Sequence, residues 1–468
     1  MAPFPSPVAA PSIAVVGGGL AGLAAAAALA DAGCTVTVLE ARRRLGGRAA
    51  SFDDTRGGGL VDACQHVAMG CCTHFLELAR RAGFADRLRH DRTLWFIDPD
   101  GRRSACTPTR LLPAPLHLAP LLFGMRHFSW GERLRLGAGM VRLAQARGAE
   151  REETAAAWLA RIGQPPRVIA LFWQPVLESA LGESIDLVSV AAARKVAVDG
   201  FLGHPAAADL HVPIDPLGVL FGERLAGWLR GRGVAVETGC GVTQIERSAG
   251  RAVAVVHAGG RMACDGVVLA VPWRAAARLA PDIVPEAEER LAASPITAVH
   301  LWFDRQFVDL PHAVLVGRVS QWVFRSEAEA GAPGEGYCQV VISASRGLLG
   351  GDRAALVERV VGELREVFPG ARGAELLASR VVTDPTAVLS VRPGVDAVRP
   401  PAATAVPNLA LAGDWTATGW PSTMEGAVRS GRLGAAALLA GLGLAAPPPV
   451  PDLRRGLLVR LLAGGRTG

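Results

Sequence analysis

Apolar runs and glycine-rich turns alternate at the start of the chain. Ile13-Ala-Val-Val16 is an unbroken apolar run of the kind that forms a buried parallel strand, and Gly17-Gly-Gly-Leu-Ala-Gly22 follows at once. An alanine-rich stretch from Leu23 to about Ala32 predicts a helix, and Cys34-Thr-Val-Thr-Val-Leu39 predicts a second strand. Strand-type runs recur at Gly266 to Pro272 and Asn408 to Ala412, and Gly233 to Glu246 reads as a strand pair. Between these, Leu111 to Val198 is largely helical in pattern, while Pro295 to Phe307 and Tyr337 to Ser345 read as strands.

The turn carries chemistry. Gly17 permits a tight bend, Gly19 lets the backbone approach a pyrophosphate, and Gly22 lets the helix pack on the strand. N–H groups at the helix N-terminus then face the phosphates. Glu40, at the end of the second strand, is placed to accept hydrogen bonds from ribose hydroxyls and to repel a 2′-phosphate. The unit suits FAD or NAD and does not suit NADP.

Composition narrows the partners. A chain of 468 residues exceeds one hydrophobic core, so at least two domains are expected. Half of the residues are apolar and the mean hydropathy is +0.28, a balance that points to a lipophilic substrate or a membrane surface. The formal charge of +6 is too small and too dispersed for a nucleic-acid partner. Eight cysteines without a C-x-x-C pair read as reduced thiols, and Cys64, Cys71 and Cys72 lack the neighbours of a zinc site, so no metal is expected. Met1 to Ser12 has no basic start, and the glycines within the uncharged run Ile13 to Ala30 argue against a membrane span. Cytoplasmic residence is expected, with peripheral contact at the inner face of the membrane.

Glu40-Ala-Arg-Arg-Arg-Leu-Gly-Gly-Arg48 resembles the E-x-R-x-x-x-G-G-R signature of the amine-oxidase and phytoene-desaturase superfamily of flavoenzymes. The resemblance selects FAD as the cofactor. Gly46 and Gly47 would return the chain against the pyrophosphate, with Arg42 and Arg48 supplying positive charge. In that superfamily the strand-Gly-Asp element, here Gly413-Asp414, places an aspartate on the ribityl or pyrophosphate part of FAD. Ser422 or Thr423 would cap the following helix, whose first turn holds Met424 and Glu425 and whose dipole faces the flavin. Val242 would meet the adenine through its backbone.

The resemblance implies an α/β fold: a Rossmann-type FAD-binding domain built from discontinuous segments, with a mixed α+β substrate domain. The FAD-binding segments are 1–106, 210–281 and 401–444; the substrate segments are 107–209, largely helical, and 282–400. Residues 445–468 form a basic amphipathic tail, in which Leu453, Leu457, Leu458, Leu461 and Leu462 share a helical face beside Arg454, Arg455, Arg460 and Arg466. Leu111 to Trp130, edged by Arg110, Arg126 and Arg133, is a second apolar stretch and a candidate entry route for a water-insoluble substrate.

Within the superfamily, the Trp415 to Gly431 block and Asp62-Ala-Cys-Gln-His-Val-Ala-Met-Gly70 are similar to hydroxysqualene dehydroxylases. Those enzymes replace the hydroxyl of an acyclic triterpene allylic alcohol by hydride from reduced FAD, which requires an external electron donor. Ala63-Cys64 departs from the Asn-Gly usual there. The chemistry needs a proton donor, for which His66 and Glu425 are the candidates, and an apolar cavity tolerant of an allylic cation. Trp173, Phe172, Trp420 and Phe201 are candidates to face that cation, and His211 and Asp215 lie near the domain crossover. The alternative is a carotenoid or squalene desaturase using oxidised FAD in the same cavity. An amine oxidase fits less well, because Tyr337 and Lys195 are the sole tyrosine and lysine, and a non-catalytic isoprenoid carrier fits least.

Overall fold

Ser12–Val16 forms the middle strand of a five-stranded parallel sheet in the order Ala235–Thr238, Thr35–Glu40, Ser12–Val16, Gly266–Leu269, Leu409–Leu411. Numbered along the chain this is 3-2-1-4-5, the doubly wound order whose ligand crevice lies at the carboxyl ends of the strands. Our computed structural model describes residues 10–54, 59–284, 290–327 and 335–463. Ile13, Ala14 and Val15 are wholly buried because both sheet faces are covered, which is why the strand reads as a continuous apolar run. Val15 packs with the helices Leu20–Asp31 and Met424–Gly441; Ala14 and Val16 pack with a three-stranded meander, Val242–Ala263, and the helix Trp273–Leu279. The run Ile13 to Ala30 is thus a strand, a turn and a helix, and no described helix is long and apolar enough to cross a membrane.

The two helices on the first face touch through small residues. A Cβ built on Gly431 would stand 2.1 Å from the Ala21 carbonyl oxygen and 2.8 Å from the Ala25 nitrogen. A Cβ on Gly434 would stand 2.9 Å from the Leu411 carbonyl oxygen. Only glycine lets the C-terminal helix sit this close to the N-terminal helix and to its own strand.

A second sheet of seven strands runs Leu376–Leu389, Ala293–Phe303, Tyr337–Ile342, Trp322–Arg325, His312–Leu315, Leu94–Ile97, Arg103–Cys106. It corrects one boundary. Leu94–Ile97 and Arg103–Cys106, placed on sequence in the first cofactor segment 1–106, pair with each other instead, and Leu94–Ile97 pairs with His312–Leu315. Nothing local to two four-residue strands specifies a partner so distant in sequence. The edge strand Leu376–Leu389 escaped the sequence pattern because Pro385 interrupts it; proline is tolerated on an edge, and the pairing with Ala293–Phe303 shifts register between Ser294 and Ile296.

Helices fill the segment between the two sheets, as its periodicity predicts. Trp130–Gln145 starts in a capping box, with Ser129 Oγ accepting from the Glu132 N–H at 3.3 Å. Two wide π-helical turns, Ile169–Trp173 and Val196–Leu202, interrupt the α-helical winding. The tail helix starts later than its leucine pattern suggests. Its helix spans Leu457–Ala463, Leu453 lies before it and packs beside Cys71 and Trp420, and Arg466 lies outside the described residues.

Gly431→Ala is expected to destabilise the protein by about 1–3 kcal/mol, because the new methyl meets backbone that cannot step aside. Gly362→Ala, in an exposed helix interior with open space around its Cβ position, is expected to stabilise by about 0.5–1 kcal/mol. Urea melts of the two variants test the helix crossing; equal stability in both would show that the crossing is not tight.

Candidate functional site

The carboxyl ends of the parallel strands open into one cavity, and the glycine turn forms its floor. A Cβ on Gly17 (φ +111°) would lie 2.4 Å from the Ala270 carbonyl oxygen, and one on Gly22 would lie 1.9 Å from that of Gly17. A Cβ on Gly19, by contrast, meets nothing closer than the Gly47 Cα at 3.9 Å. Gly19 is therefore glycine for the sake of something outside the polypeptide. It stands at the start of the helix Leu20–Asp31, which has no side-chain cap and no acidic residue in its first turn. Such an end suits a phosphate.

The signature loop returns over this floor. The Gly46 N–H donates to the Gly18 carbonyl at 2.9 Å, and Gly46 and Gly47 both take positive φ, at +93° and +65°. Glu40 accepts from the Gly18 N–H at 2.7 Å and the Arg42 N–H at 2.8 Å, and each oxygen keeps a further lone pair for a ribose hydroxyl. Arg42, Arg48 and Val242 line the same cavity.

The distant block closes the other side. Gly413 (φ +144°) donates its N–H to Ser430 Oγ at 2.8 Å. The buried Asp414 carboxylate accepts from Arg48 and from the Ser422 hydroxyl, while Arg399 donates to the Asp414 carbonyl at 3.0 Å. The pairing with Arg48 ties the signature loop to the C-terminal block. Thr423, not Ser422, caps the helix Met424–Gly441, accepting from the Gly426 N–H at 3.1 Å; Ser422 is committed to Asp414.

The two candidate acids differ from their sequence reading. Glu425 is fully buried, and burial raises its pKa against the pull of Arg429. Its oxygens accept from the N–H groups of His74 (3.2 Å) and Phe75 (2.8 Å) at the start of the helix Thr73–Arg81, and from Arg429 Nε at 2.6 Å. A carboxyl group so engaged joins two helices, its oxygens taken up by three protein donors. His66 faces the cavity, with Nδ1 2.7 Å from the Cys64 carbonyl oxygen. A carbonyl only accepts, so Nδ1 carries the proton and Nε2 has the lone pair. Burial, helped by the Arg48 charge, pushes the imidazole below its ordinary value against the Cys64 bond. At neutral pH His66 is an acceptor, and it becomes a donor only in more acidic solution.

Behind Gln65 stands a polar network that the sequence pattern did not reveal. Gln339 accepts from the Gln65 N–H, donates to the Tyr337 hydroxyl at 3.0 Å and lies 3.2 Å from His300 Nδ1. Burial lowers His300 to about 4 and raises Tyr337 far above its ordinary value, so both stay neutral. Its one signal was a glutamine inside the apolar run Tyr337–Ile342. His211 stacks on His90 and Asp215 pairs with Arg87, neither lining the cavity.

The cavity holds about 1240 Å³, above the roughly 300–1,000 Å³ of a single small-ligand site. Beyond the cradle its walls are Leu122, Met140, Phe172, Phe201, Trp322 and Phe324 among others. Trp322 and Phe324, alternate residues of one strand, present the same sheet face. Both π-helical turns border it through Phe172 and Phe201, while Trp173 is buried in the core and bonds to Gln164 at 2.9 Å. Lys195 also reaches the cavity, pairing with Asp199 at 2.9 Å and lying 4.5 Å above the Trp420 ring. Beside Val242, Glu237, Cys240 and His257 cluster, but the Cys240 thiol, 3.4 Å from Glu237 and 3.3 Å from His257, accounts for their grouping by hydrogen bonding.

A model of the flavin-containing amine oxidoreductase family matches residues 20–439. The chain is 27% identical to a 15-cis-phytoene desaturase of Synechococcus elongatus over 92% of its length and 96% of the relative's. It is also 27% identical to a hydroxysqualene dehydroxylase of Rhodopseudomonas palustris, over 91% and 98%. Among solved structures, cyclohexylamine oxidase from Brevibacterium oxydans superimposes with a TM-score of 0.68 at 20% identity, covering 93% of this chain and all of that one. An oxidoreductase from Methanosarcina mazei gives 0.69 at 17%, over 92% and 100%. These likenesses, with the cradle geometry, identify the cofactor as FAD.

Gly19→Val is expected to fold and melt like the wild-type apoprotein while purifying without yellow colour, since its side chain meets ligand space rather than protein. Full flavin occupancy in this variant would move the pyrophosphate elsewhere.

Proposed function

Because the chain belongs to the flavin-containing amine oxidoreductase family, we propose that it is an FAD-dependent oxidoreductase acting on a large apolar isoprenoid, reducing hydroxysqualene to squalene. The observation that carries this reading is the continuity of the cavity, polar and glycine-lined at one end and walled by Leu, Met, Phe and Trp at the other. A flexible hydrocarbon fits such walls, and few polar groups compete for it.

Gly17, Gly19, Glu40, Gly46, Gly47, Arg42, Arg48 and Val242 would hold the nucleotide half of FAD. Asp414, Thr423 and Met424 would border the rest, the helix dipole favouring negative charge on the ring. Bound in reduced form, FAD supplies the hydride. The chain's own residues position the allylic carbon, exclude water so that a cation formed there is not recaptured by it, and deliver a proton to the departing hydroxyl. His66 is the candidate donor, acting from its protonated form; Glu425 is not, for the reasons of geometry given above. The leaving oxygen departs as water, and hydride takes its place.

The phytoene desaturase relatives support a second reading, in which oxidised FAD accepts hydride from a polyene. The neutral His66, with Nε2 free of the Cys64 bond, suits accepting a proton in that direction. The direction of electron flow separates the two. Dithionite-reduced enzyme mixed anaerobically with hydroxysqualene is expected to yield squalene as the flavin reoxidises. Dehydrogenation of phytoene or squalene by the oxidised enzyme, without dehydroxylation, would establish the desaturase instead.

If His66 is the donor, its depressed pKa sets the pH profile. The imidazolium is populated only below the ordinary value of 6.5, so single-turnover dehydroxylation is expected to accelerate as pH falls through a midpoint under 6.5. His66→Ala should lose this limb and about 10²–10⁴-fold of the rate while retaining FAD. A profile unchanged by the substitution would assign the proton to another group.

A further inference from the structure

We propose that the cavity opens through a surface built to dock on an anionic lipid bilayer, so that the isoprenoid passes between membrane and cavity without crossing water. This rests on the isoprenoid reading of the cavity. The surface itself is an independent observation. Leu111 is 93% exposed, Leu134 70%, Trp130 63% and Phe123 55%, and on the tail helix Leu461 is 73% and Leu457 64% exposed. Scattered single leucines on a surface are ordinary, but a group of this size is not.

The two segments share one surface. The tail helix uses Val459 and Ala463 to pack on Ala114, Ala144, Val198 and Leu202, which turns Leu457, Leu458 and Leu461 outward beside the helix Trp130–Gln145. Arg194 donates to the Ala463 carbonyl at 2.9 Å and Arg455 pairs with Asp199 at 2.7 Å, holding the tail in place. The core side of the tail is thus satisfied, and Leu457, Leu458 and Leu461 stay exposed.

The mouth of the cavity lies in this patch. Leu116 and Val141 line the cavity and are also exposed, 50% and 38%, so the channel reaches solvent between Pro115–Leu118 and the helix Trp130–Gln145. Leu112, Phe123 and Leu134 are also exposed on the segments that carry Leu116 and Val141.

Charge selects an anionic bilayer over a protein partner. From Arg110 to Arg147 the sequence holds six arginines and one acidic residue, Glu132, which pairs with Arg167 at 3.4 Å. Arg126, Arg135, Arg142, Arg454 and Arg460 are exposed on the same segments. Arg133 lies 4.8 Å from the Trp130 ring, a cation beside an amphipathic ring as at a headgroup boundary. Leucines among arginines on short interfacial helices bind a bilayer by apolar burial plus headgroup attraction.

The test uses FAD-loaded full-length protein without substrate, floated with vesicles of phosphatidylcholine alone or mixed with phosphatidylserine. Wild type is expected to bind the mixed vesicles more tightly, less so at high salt. The double substitution Leu134→Glu and Leu461→Glu, at exposed positions outside the cavity lining, should weaken vesicle binding by at least about tenfold. Flavin content and melting temperature should not change. Turnover should fall for substrate embedded in vesicles and stay unchanged for substrate dispersed in detergent. Equal vesicle binding by wild type and the double variant, no vesicle binding at all, or a solution dimer that the substitutions dissociate would overturn the proposal. Vesicle binding with no turnover of any isoprenoid would instead leave the docking surface standing and refute the function on which its purpose rests.

Discussion

Two helices from opposite ends of the chain meet backbone to backbone. Gly431 sets the C-terminal helix Met424–Gly441 against the backbone of Leu20–Asp31, with room for no side chain between them. Everything at the cofactor end depends on this contact. It brings the start of the later helix, and the Gly413-Asp414 turn before it, to the mouth of the glycine fingerprint. The Arg48–Asp414 pair then locks the signature loop to the later turn. Glu425 extends the same tie to a third helix, accepting from its first N–H groups. Buried charges of this kind are held by full hydrogen bonding, and removing one partner would leave the other uncompensated.

Around that junction the fold separates two environments inside one cavity. The parallel sheet ends in backbone N–H groups, glycines and arginines; the seven-stranded sheet and the helices facing it present ring and branched apolar side chains. The wide turns at Ile169–Trp173 and Val196–Leu202 aim Phe172 and Phe201 into the cavity, as local changes of winding at functional sites often do. The few polar groups near the boundary are kept neutral by burial: His66 and His300 below their ordinary values and Tyr337 above. Such a boundary suits a reaction whose charged stage must be brief.

What was legible in the sequence was whatever depends on local pattern. The fingerprint turn, Glu40, the signature loop and the strand that ends in Gly413 each declare themselves through spacing and the special backbone freedom of glycine, and Gly17, Gly19, Glu40, Gly46, Gly47 and Gly413 all line the cavity. What escaped depends on partners distant in the chain. Ser422 and Thr423 are equivalent capping residues until Asp414 claims one of them. Glu425 reads as an acid until the Thr73–Arg81 helix is seen to occupy its oxygens. Leu94–Cys106 reads as a continuation of the cofactor segment until His312–Leu315 is seen beside it. The count of lysines argued against a lysine in the site, yet the one lysine points into it, because abundance says nothing about direction. The Gln339, Tyr337 and His300 cluster was concealed because His300 comes to the other two from the neighbouring strand Ala293–Phe303.

In the proposed function the flavin ring and a long hydrocarbon share one continuous cavity. Titration of oxidised, FAD-loaded protein with squalene in detergent micelles, followed by visible flavin absorbance, tests it without reference to turnover. A saturable shift of the flavin bands is the predicted result, because the chain displaces water from the ring's surroundings. Saturable squalene binding that leaves the flavin spectrum unchanged would place the hydrocarbon in a separate site and contradict the account.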